Sequence, residues 1–453
     1  MKKPSPYPSP ARTIPGRFSW DMMEPVFKLF ILSGSLAVLY LALQENILFQ
    51  NNLPRIPGAG QPFFRFLFLF SLVTFLSSLV VRTILWFRYK PYPSARVTCW
   101  PEITLVIPAY NEGQTIYRTL RSLMDCDYPE GRVKILTIND GSTDDTLSFM
   151  ERACREFPGR IRIVNFKCNR GKRQAIYHAY RISRSPILIT VDSDTKPAAS
   201  ALKELVTPLI LNPRMGAVTS RIRVWNKKTN ILTRMLHAHF AMAFDFTRAI
   251  QSTFHCVFCV AGAFSAYRRS AMEQIIDRWI RQKFLNITCT YGEDRSLTNM
   301  ILREGYQSFF QRTAVAYTMV PVRLGQILKM LTRWARSNIR ESIIFSKFMF
   351  QRRRRGNILL PAFEFITTVI MVFLHFVWFY YFLFSGLIDL NFVFRVLAYS
   401  VFSGFFYILY YVRIEGRKDS PYLVLFSIFS CIFMIWIFTV AAFTLTKTGW
   451  STR

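Results

Sequence analysis

Five long apolar runs set the outer limits of what this chain can fold into. Met23–Leu43 carries only Glu24 and Lys28, near its start, and Phe63–Phe87 carries Arg65 and Arg82 near its two ends. Long side chains in such places can snorkel to a membrane interface. Leu359–Ser385, Phe392–Val412 and Pro421–Leu445 form a C-terminal block. Each run approaches or exceeds the ~20 residues that a helix needs to cross the hydrocarbon core. A buried core helix is the alternative, but such helices rarely run so long without polar interruption. The 43 phenylalanines of the chain are concentrated in these runs, which favours membrane insertion over a soluble core.

A net charge of +31 raises the question of nucleic acid. A basic membrane protein is the simpler account, because cytoplasmic loops collect Lys and Arg. The positive residues sit in the N-terminal tail, in the middle of the chain and in the run Arg352–Arg355 beside an apolar segment. All lie on one side if residues 23–87 form a two-helix hairpin, with Gln44–Gln61 as its outer loop. The expected organisation is a flexible cytoplasmic tail (1–22), this hairpin, a cytoplasmic α/β domain (97–320), amphipathic interface helices (321–356) and a C-terminal membrane block (357–453). Arg352–Arg355 then reads as an anchor to anionic lipid; DNA binding is the weaker alternative, and no nucleic-acid partner is expected.

Eight cysteines in a chain that faces the cytoplasm argue for reduced thiols. Cys256 and Cys259 form one C-x-x-C without a second pair at zinc spacing, so a structural zinc is not expected. The N-terminus lacks the pattern of a cleaved signal peptide.

The middle of the chain alternates strands with helices. Ile103–Ile107 is a β-branched run ending at Pro108, followed by Ala109-Tyr110-Asn111-Glu112 and a helix with Ile116, Leu120 and Leu123 on one face. Val133–Ile138 ends in Asn139-Asp140-Gly141-Ser142-Thr143, where Ser142 or Thr143 can cap the next helix. Ile161–Val164 is a further strand, Lys167–Arg173 opens a helix, and Pro186–Val191 stops at Asp192-Ser193-Asp194. The pattern predicts a parallel α/β sheet with its ligand at the carboxyl ends of the strands. Each acidic cluster lies at such an end.

Two carboxylates one residue apart after a strand can hold a hard divalent cation, which prefers oxygen ligands and often bridges phosphates. Asp192 and Asp194 fit that role, although a D-x-D alone is often only a turn. Lys172 and Arg173 can offset phosphate charge; a solvated surface pair is their plainer reading. Tyr291-Gly292-Glu293-Asp294-Arg295 opens a helix, where an acidic residue is either a cap or a general base toward a hydroxyl. Arg333 and Trp334 lie on the amphipathic segment Leu324–Phe350, suited to phosphate and to a sugar face, or to interfacial anchoring. His237 and His239 are two apart on a predicted helix and cannot share one face, so packing is preferred to metal binding.

The ordered set Ile107–Glu112, Asn139–Ser142, Asp192–Asp194, Gly292–Arg295 and Arg333-Trp334 resembles the family 2 glycosyltransferases of processive polysaccharide synthesis, over about residues 97–345. Arg170-Gly171-Lys172-Arg173, Trp225-Asn226, the stretch from Phe284 through Cys289 to Asn299, and the tail Gly449-Trp450-Ser451-Thr452-Arg453 are similar to hyaluronan synthases. Arg333–Ser337 is more similar to the rhizobial chitooligosaccharide synthases. The resemblance implies an α/β GT-A-like nucleotide-sugar domain inserted between N- and C-terminal transmembrane helices. It implies that Tyr110, Glu112 and Asp140 bind the uridine end of a UDP-sugar donor, that Asp192 and Asp194 hold Mn or Mg with the diphosphate, and that Lys172 and Arg333 contact the same donor. Arg173, Trp450 and Arg453 are further donor-binding candidates. Asp294 would be the base that activates the acceptor. Cys259–Tyr267, Gly262 included, would face the acceptor, with Trp334 supporting it at a channel mouth. The product would be a hyaluronan- or chitin-like polysaccharide, built from UDP-GlcNAc, with or without UDP-GlcA, and secreted through the bilayer of the cell membrane.

Met330 stands where the family's Q-x-x-R-W motif has Gln, and the acceptor loop Gly262–Tyr267 lacks the G-P typical of hyaluronan synthases. Three full crossings after the catalytic domain would leave Trp450 outside, so Pro421–Leu445 is expected to dip in and return as two half-length helices. A non-processive transferase acting on a lipid carrier is the alternative enzyme. A transporter or receptor with a regulatory domain is disfavoured, because the apolar runs offer only Glu364 and Asp389 for ion coupling. A binding module is disfavoured by the base candidate beside the metal pair.

Overall fold

A computed structural model describes residues 60–351, 358–386 and 390–447, together with six single helical positions between 26 and 40. The proposed N-terminal tail, the outer loop up to residue 59, Arg352–Arg355, Asp389, Trp450 and Arg453 lie outside the described residues.

The α/β domain has ten strands among the described residues: β1 (Ile103–Ala109), β2 (Val133–Asn139), β3 (Ile161–Asn165), β4 (Ile187–Val191), β5 (Lys196–Pro197), β6 (Met215–Val224), β7 (Phe264–Arg268), the separate pair β8 (Lys283–Phe284) and β9 (Ile287–Thr288), and β10 (Gln307–Thr318); all but that pair form one sheet in the order β3-β2-β1-β4-β7-β6-β10-β5. Its first half follows the sequence pattern: β1 (Ile103–Ala109), β2 (Val133–Asn139), β3 (Ile161–Asn165) and β4 (Ile187–Val191) run parallel. β1 and β4 are buried along their whole length, as apolar runs covered on both faces should be. The second half corrects the expectation of a parallel sheet. β7 (Phe264–Arg268) is antiparallel to both β4 and β6 (Met215–Val224), while β10 (Gln307–Thr318) runs parallel to β6 and the two-residue β5 (Lys196–Pro197) antiparallel to β10. The reversal follows a helical excursion, Ile231–Ala241 through Thr247–Ser252, that returns the chain from the opposite direction.

Polar groups on β6, in the turn after it and on that excursion meet the C-terminal segment. Arg221 and Arg223 on β6 bind Glu415 at 2.8 and 2.6 Å, and Lys227 binds Asp419 at 2.8 Å. The two histidines part company as expected. His237 faces Lys227, Glu415 and Asp419, while His239 stacks on Phe426 at 4.0 Å. Burial pushes both imidazoles down to about 4, so both are neutral.

Among the described residues three helical stretches are long and apolar enough to cross a membrane: Leu69–Arg88, Leu397–Glu415 and Tyr422–Phe443. Arg82 does not snorkel. Its guanidinium makes two bonds of 3.0 and 3.1 Å to the buried Glu364 on the helix Leu359–Gly386, which satisfies both charges between helices.

The last apolar segment is also corrected. Tyr422–Phe429, a π turn at Ser430–Met434 and Ile435–Phe443 form one continuous helical run rather than two half-helices that reverse. The segment contains no Gly or Pro after Pro421 that could turn the backbone. Its 22 residues span about 33 Å, yet both ends touch the catalytic domain. Arg234 lies over the Tyr422 ring at the start, and at the end Arg336 donates to Thr444 and the Tyr291 hydroxyl to Leu445 O. The helix lies along the domain, its first half on Ile231–Ala241 and its second on the helix Leu324–Ser346.

Candidate active site

The loops after β1 and β2 are knitted together. Asn111, at φ 53°, donates its N–H to Ser142 Oγ and accepts from Thr143 N. The N–H groups of Glu112 and Gly113 both reach Thr146 Oγ1. Ser142 and Thr143 are thus spent on the neighbouring loop and do not cap the following helix; Asp144 accepts from Thr146 N instead. Tyr110 remains 43% exposed at the rim.

Asp140 is buried, and its two oxygens accept from Arg170 N at 2.7 Å and Gly171 N at 2.8 Å. Burial raises its pKa, with the two backbone donors opposing. Its carboxylate fixes the loop that delivers Lys172. Gly141, at φ +71°, makes room for this: a Cβ there would lie 2.4 Å from the carbonyl carbon of Cys168.

Lys172 opens the helix Lys172–Ile182 and sends its ammonium into a cluster of carboxylates. It lies 2.5 Å from Asp192 Oδ1 and 3.3 Å from Glu293 Oε1. Burial alone would depress its pKa, but Asp192, Glu293 and Asp294 hold it above the ordinary lysine value. Asp294, at the start of the helix Glu293–Arg303, accepts from Gly262 N at 3.3 Å, with Cys259 Sγ at 3.8 Å. Burial and the Glu293 charge raise the Asp294 pKa against the pull of Lys172 and two backbone N–H groups. Burial likewise works against ionised Glu293, but Lys172 and Arg333 hold its pKa below the ordinary value. Cys259 is pushed up to about 12 by burial and by Asp294, so it stays a thiol. Gly262 belongs at this hub, since a Cβ would stand 3.2 Å from Lys172 Nζ.

Arg173 is corrected. Its guanidinium points to the back of the domain, donating to Cys289 O, Gln282 Oε1 and Ser296 Oγ and lying over the Trp279 ring. Held there through both Nη atoms and 5% exposed, it is not available to a donor phosphate. The stretch Cys259–Tyr267 is only half a loop, because Phe264 onward is β7 in mid-sheet. Met330 is buried in the core, an apolar replacement at the motif's Gln position.

Arg333 and Trp334 lie on the helix Leu324–Ser346. Trp334 joins Phe240 and Phe244 at ring distances of 5.8 and 6.2 Å. Two groups close to the hub were not singled out from sequence. Glu293 is one, next to Asp294. The other is Arg248, buried over the Phe244 ring at 4.0 Å with its charge near Cys259 and Asp294. No motif in the sequence around it marks its place beside the hub.

Asp192 and Asp194 suit a hard divalent cation. They are oxygen donors at the end of β4, and the Asp192 side chain is one-third exposed. Thr318 Oγ1 lies 3.2 Å from Asp194. No group of three or more His, Cys, Asp or Glu among the described residues could hold a metal alone. A cation here would therefore complete its shell with oxygens of the ligand, as Mn or Mg does on a diphosphate.

Known proteins match this arrangement. The family model described as "Glycosyltransferase like family 2" matches residues 101–337. An N-acetylglucosaminyltransferase of Rhizobium sp. (strain N33) is 32% identical over 54% of this chain and 54% of its own length. That of Mesorhizobium japonicum is 33% identical over 58% and 60%. The chain thus spans little more than half the length of the curated relatives it matches. Among solved structures, a mannosyltransferase from Pyrobaculum calidifontis in complex with GDP-Man and Mn2+ shares the fold, with a TM-score of 0.52 and 18% identity over 81% of this chain and 99% of that one. The mixed sheet is accordingly GT-A-like, with long apolar helices at both ends of the chain. With a carboxylate pair at the end of β4, a lysine bridging Asp192 to Glu293 beside Asp294 and more than half its length matched by the family model, the chain belongs to the family 2 glycosyltransferases.

Proposed function

We propose that this chain is a membrane-integrated, processive, inverting hexosyltransferase that polymerises UDP-GlcNAc, with UDP-GlcA as a possible second donor. Its catalytic domain faces the cytoplasm and the product leaves through the bilayer. The observation that carries the reading is the position of Asp294. Its carboxylate stands beside the Lys172–Asp192 pair on one side. On the other, Cys259, Arg248 and the Phe244–Trp334 ring cluster lead to the interfacial helix.

In this reading Asp294 takes the proton of the acceptor hydroxyl. The oxygen attacks the anomeric carbon from the face opposite UDP, the bond from that carbon to the diphosphate oxygen breaks, and UDP leaves with the electron pair. Lys172 lies where the departing charge develops. Asp192 and Asp194 would hold Mn or Mg, which supplies charge neutralisation at the diphosphate. Tyr110 and Glu112 flank the uridine end, Asp140 shapes its floor, and Trp334 stacks the acceptor sugar. Trp450 and Arg453 follow Leu445, which Tyr291 holds two residues from Glu293.

The naming of the rhizobial relatives as N-acetylglucosaminyltransferases supports UDP-GlcNAc as donor. The test is to incubate purified protein with UDP-GlcNAc and UDP-GlcA, alone and together, and size the intact product. Polymer from UDP-GlcNAc alone is the expected result and excludes an obligate two-donor mechanism. Single-sugar lipid products would overturn processivity.

A further inference from the structure

Behind Asp294 lies a buried polar network outside the donor and acceptor residues proposed above. Arg340 and Glu341, on the helix Leu324–Ser346, are 2% and 0% exposed. Arg340 Nη2 donates to Tyr291 O at 2.6 Å and Nε to Glu341 Oε1 at 3.0 Å, and its guanidinium lies over the Tyr291 ring. Glu341 also accepts from Gln282 Nε2 at 3.1 Å and from Asn299 Nδ2 at 2.9 Å. Asn299 belongs to the helix that Asp294 opens. Gln282 is in turn held by Arg173, one residue after Lys172.

Gly292 lets these parts approach. It sits at φ +70°, and a Cβ there would lie 2.0 Å from Ser337 Oγ and 2.9 Å from Arg340 Nη2. On the outer side Arg295 donates to Asn338 and Ser342 of the same interfacial helix. Asp294 and Trp334 therefore stand on two helices joined by directional bonds rather than by apolar contact alone.

Burying two adjacent charges of one helix so that they can bond Tyr291 O and Asn299 across to the other is costly. Apolar residues of similar volume often stabilise as much or more. What directional bonds add is a fixed geometry, which a transfer reaction needs because small displacements of reacting groups are expensive. The geometry points to Arg340 and Glu341 as positioning residues, which lock the helix of Asp294 to the helix of Trp334 so that base and acceptor platform keep one separation. This rests on the reading of Asp294 as the base.

The test uses the full chain in lipid nanodiscs, with Arg340→Lys and Glu341→Gln beside Asp294→Asn and the core control Ile327→Ala. UDP release gives kcat, donor KM and the pH profile, and UDP binding counts folded sites. Both positioning variants are expected to lose about ten- to a hundredfold in kcat, with donor KM changed less than about twofold. The acid limb of kcat should move to lower pH as Asp294 loosens toward solvent, while Ile327→Ala leaves the limb in place. Wild-type kcat, or a loss only in proportion to lost UDP sites with an unmoved limb, would overturn the proposal. A dead Asp294→Asn with both variants active sinks positioning alone; an active Asp294→Asn sinks the base reading itself.

Discussion

The two halves of the sheet solve the same problem in different ways. On the β3-β2-β1-β4 side, loops are fixed by backbone N–H groups: Asp140 holds Arg170 N and Gly171 N, and Thr146 holds Glu112 N and Gly113 N. On the β7-β6-β10-β5 side and its helices, buried charges do the holding. Lys172 reaches across from the first half, linking Asp192 at the end of β4 to Glu293 and lying near Asp294 on this charged side, where Arg340 also lies against Glu341. Backbone bonds suit a surface that must fit one nucleotide shape. Buried charges raise the pKa of a base and fix its direction, at the cost of leaving the site intolerant of substitution.

That contrast sets an order of expected damage. Lys172→Met should be the most severe change on the charged side, because it leaves three carboxylates facing one another. A loss of about 3 kcal/mol or more is expected, read as a lower Tm, with UDP release abolished; an unchanged Tm would break the comparison. Gly292→Ala forces a side chain into Ser337 at a left-handed backbone position. It should cost about 1–3 kcal/mol and most of the turnover.

On the backbone-held side, Asp140→Asn presents an amide to a backbone N–H. It should cost about 1–3 kcal/mol, seen in donor KM more than in kcat. If kcat fell and KM stayed, the two halves would not differ as described. The smallest effect concerns pH. As the proposed base, Asp294 would have to be ionised, and its pKa is raised by burial and Glu293. The acid limb of kcat should therefore lie above the pH of about 4 expected of a free carboxylate. A raised folded pKa means that the folded state holds the proton more tightly than the unfolded one. The charge of Asp294 therefore costs stability at neutral pH, and this cost fades as pH falls through the raised value. A limb at or below pH 4 would contradict the burial.

The halves also differ in how far they can be read from sequence. β1, β2 and β4 are apolar runs that stop at polar loops, so their strands and the residues at their ends are legible. β5 has two residues and β7 five of mixed character, too short for a period to declare itself. Lys172 and Arg173 show the limit at residue level. Neighbours on a helix point about 100° apart, so a basic pair at a helix start can serve opposite sides of it. One side chain enters the site and the other braces the domain from behind. Arg82 is similar: an arginine at the end of an apolar run reads as snorkelling until its partner Glu364, some 280 residues away, is placed beside it. The expected reversal of Pro421–Leu445 as two half-length helices fails because tail charge argues only for the side on which a segment ends, whereas the continuous run Tyr422–Phe443 has no Gly or Pro to break it.

A cysteine at position 451 would test that last geometry: labelling from the cytoplasmic side is expected, and labelling only from outside would contradict it. The most direct test of the central claim is UDP release by Asp294→Asn with UDP-GlcNAc and either Mn or Mg. Turnover should fall by about 10²–10⁴-fold, with UDP-GlcNAc binding retained and Tm at pH 7 no lower than that of the parent chain. Unchanged turnover would contradict the assignment of Asp294 as the base.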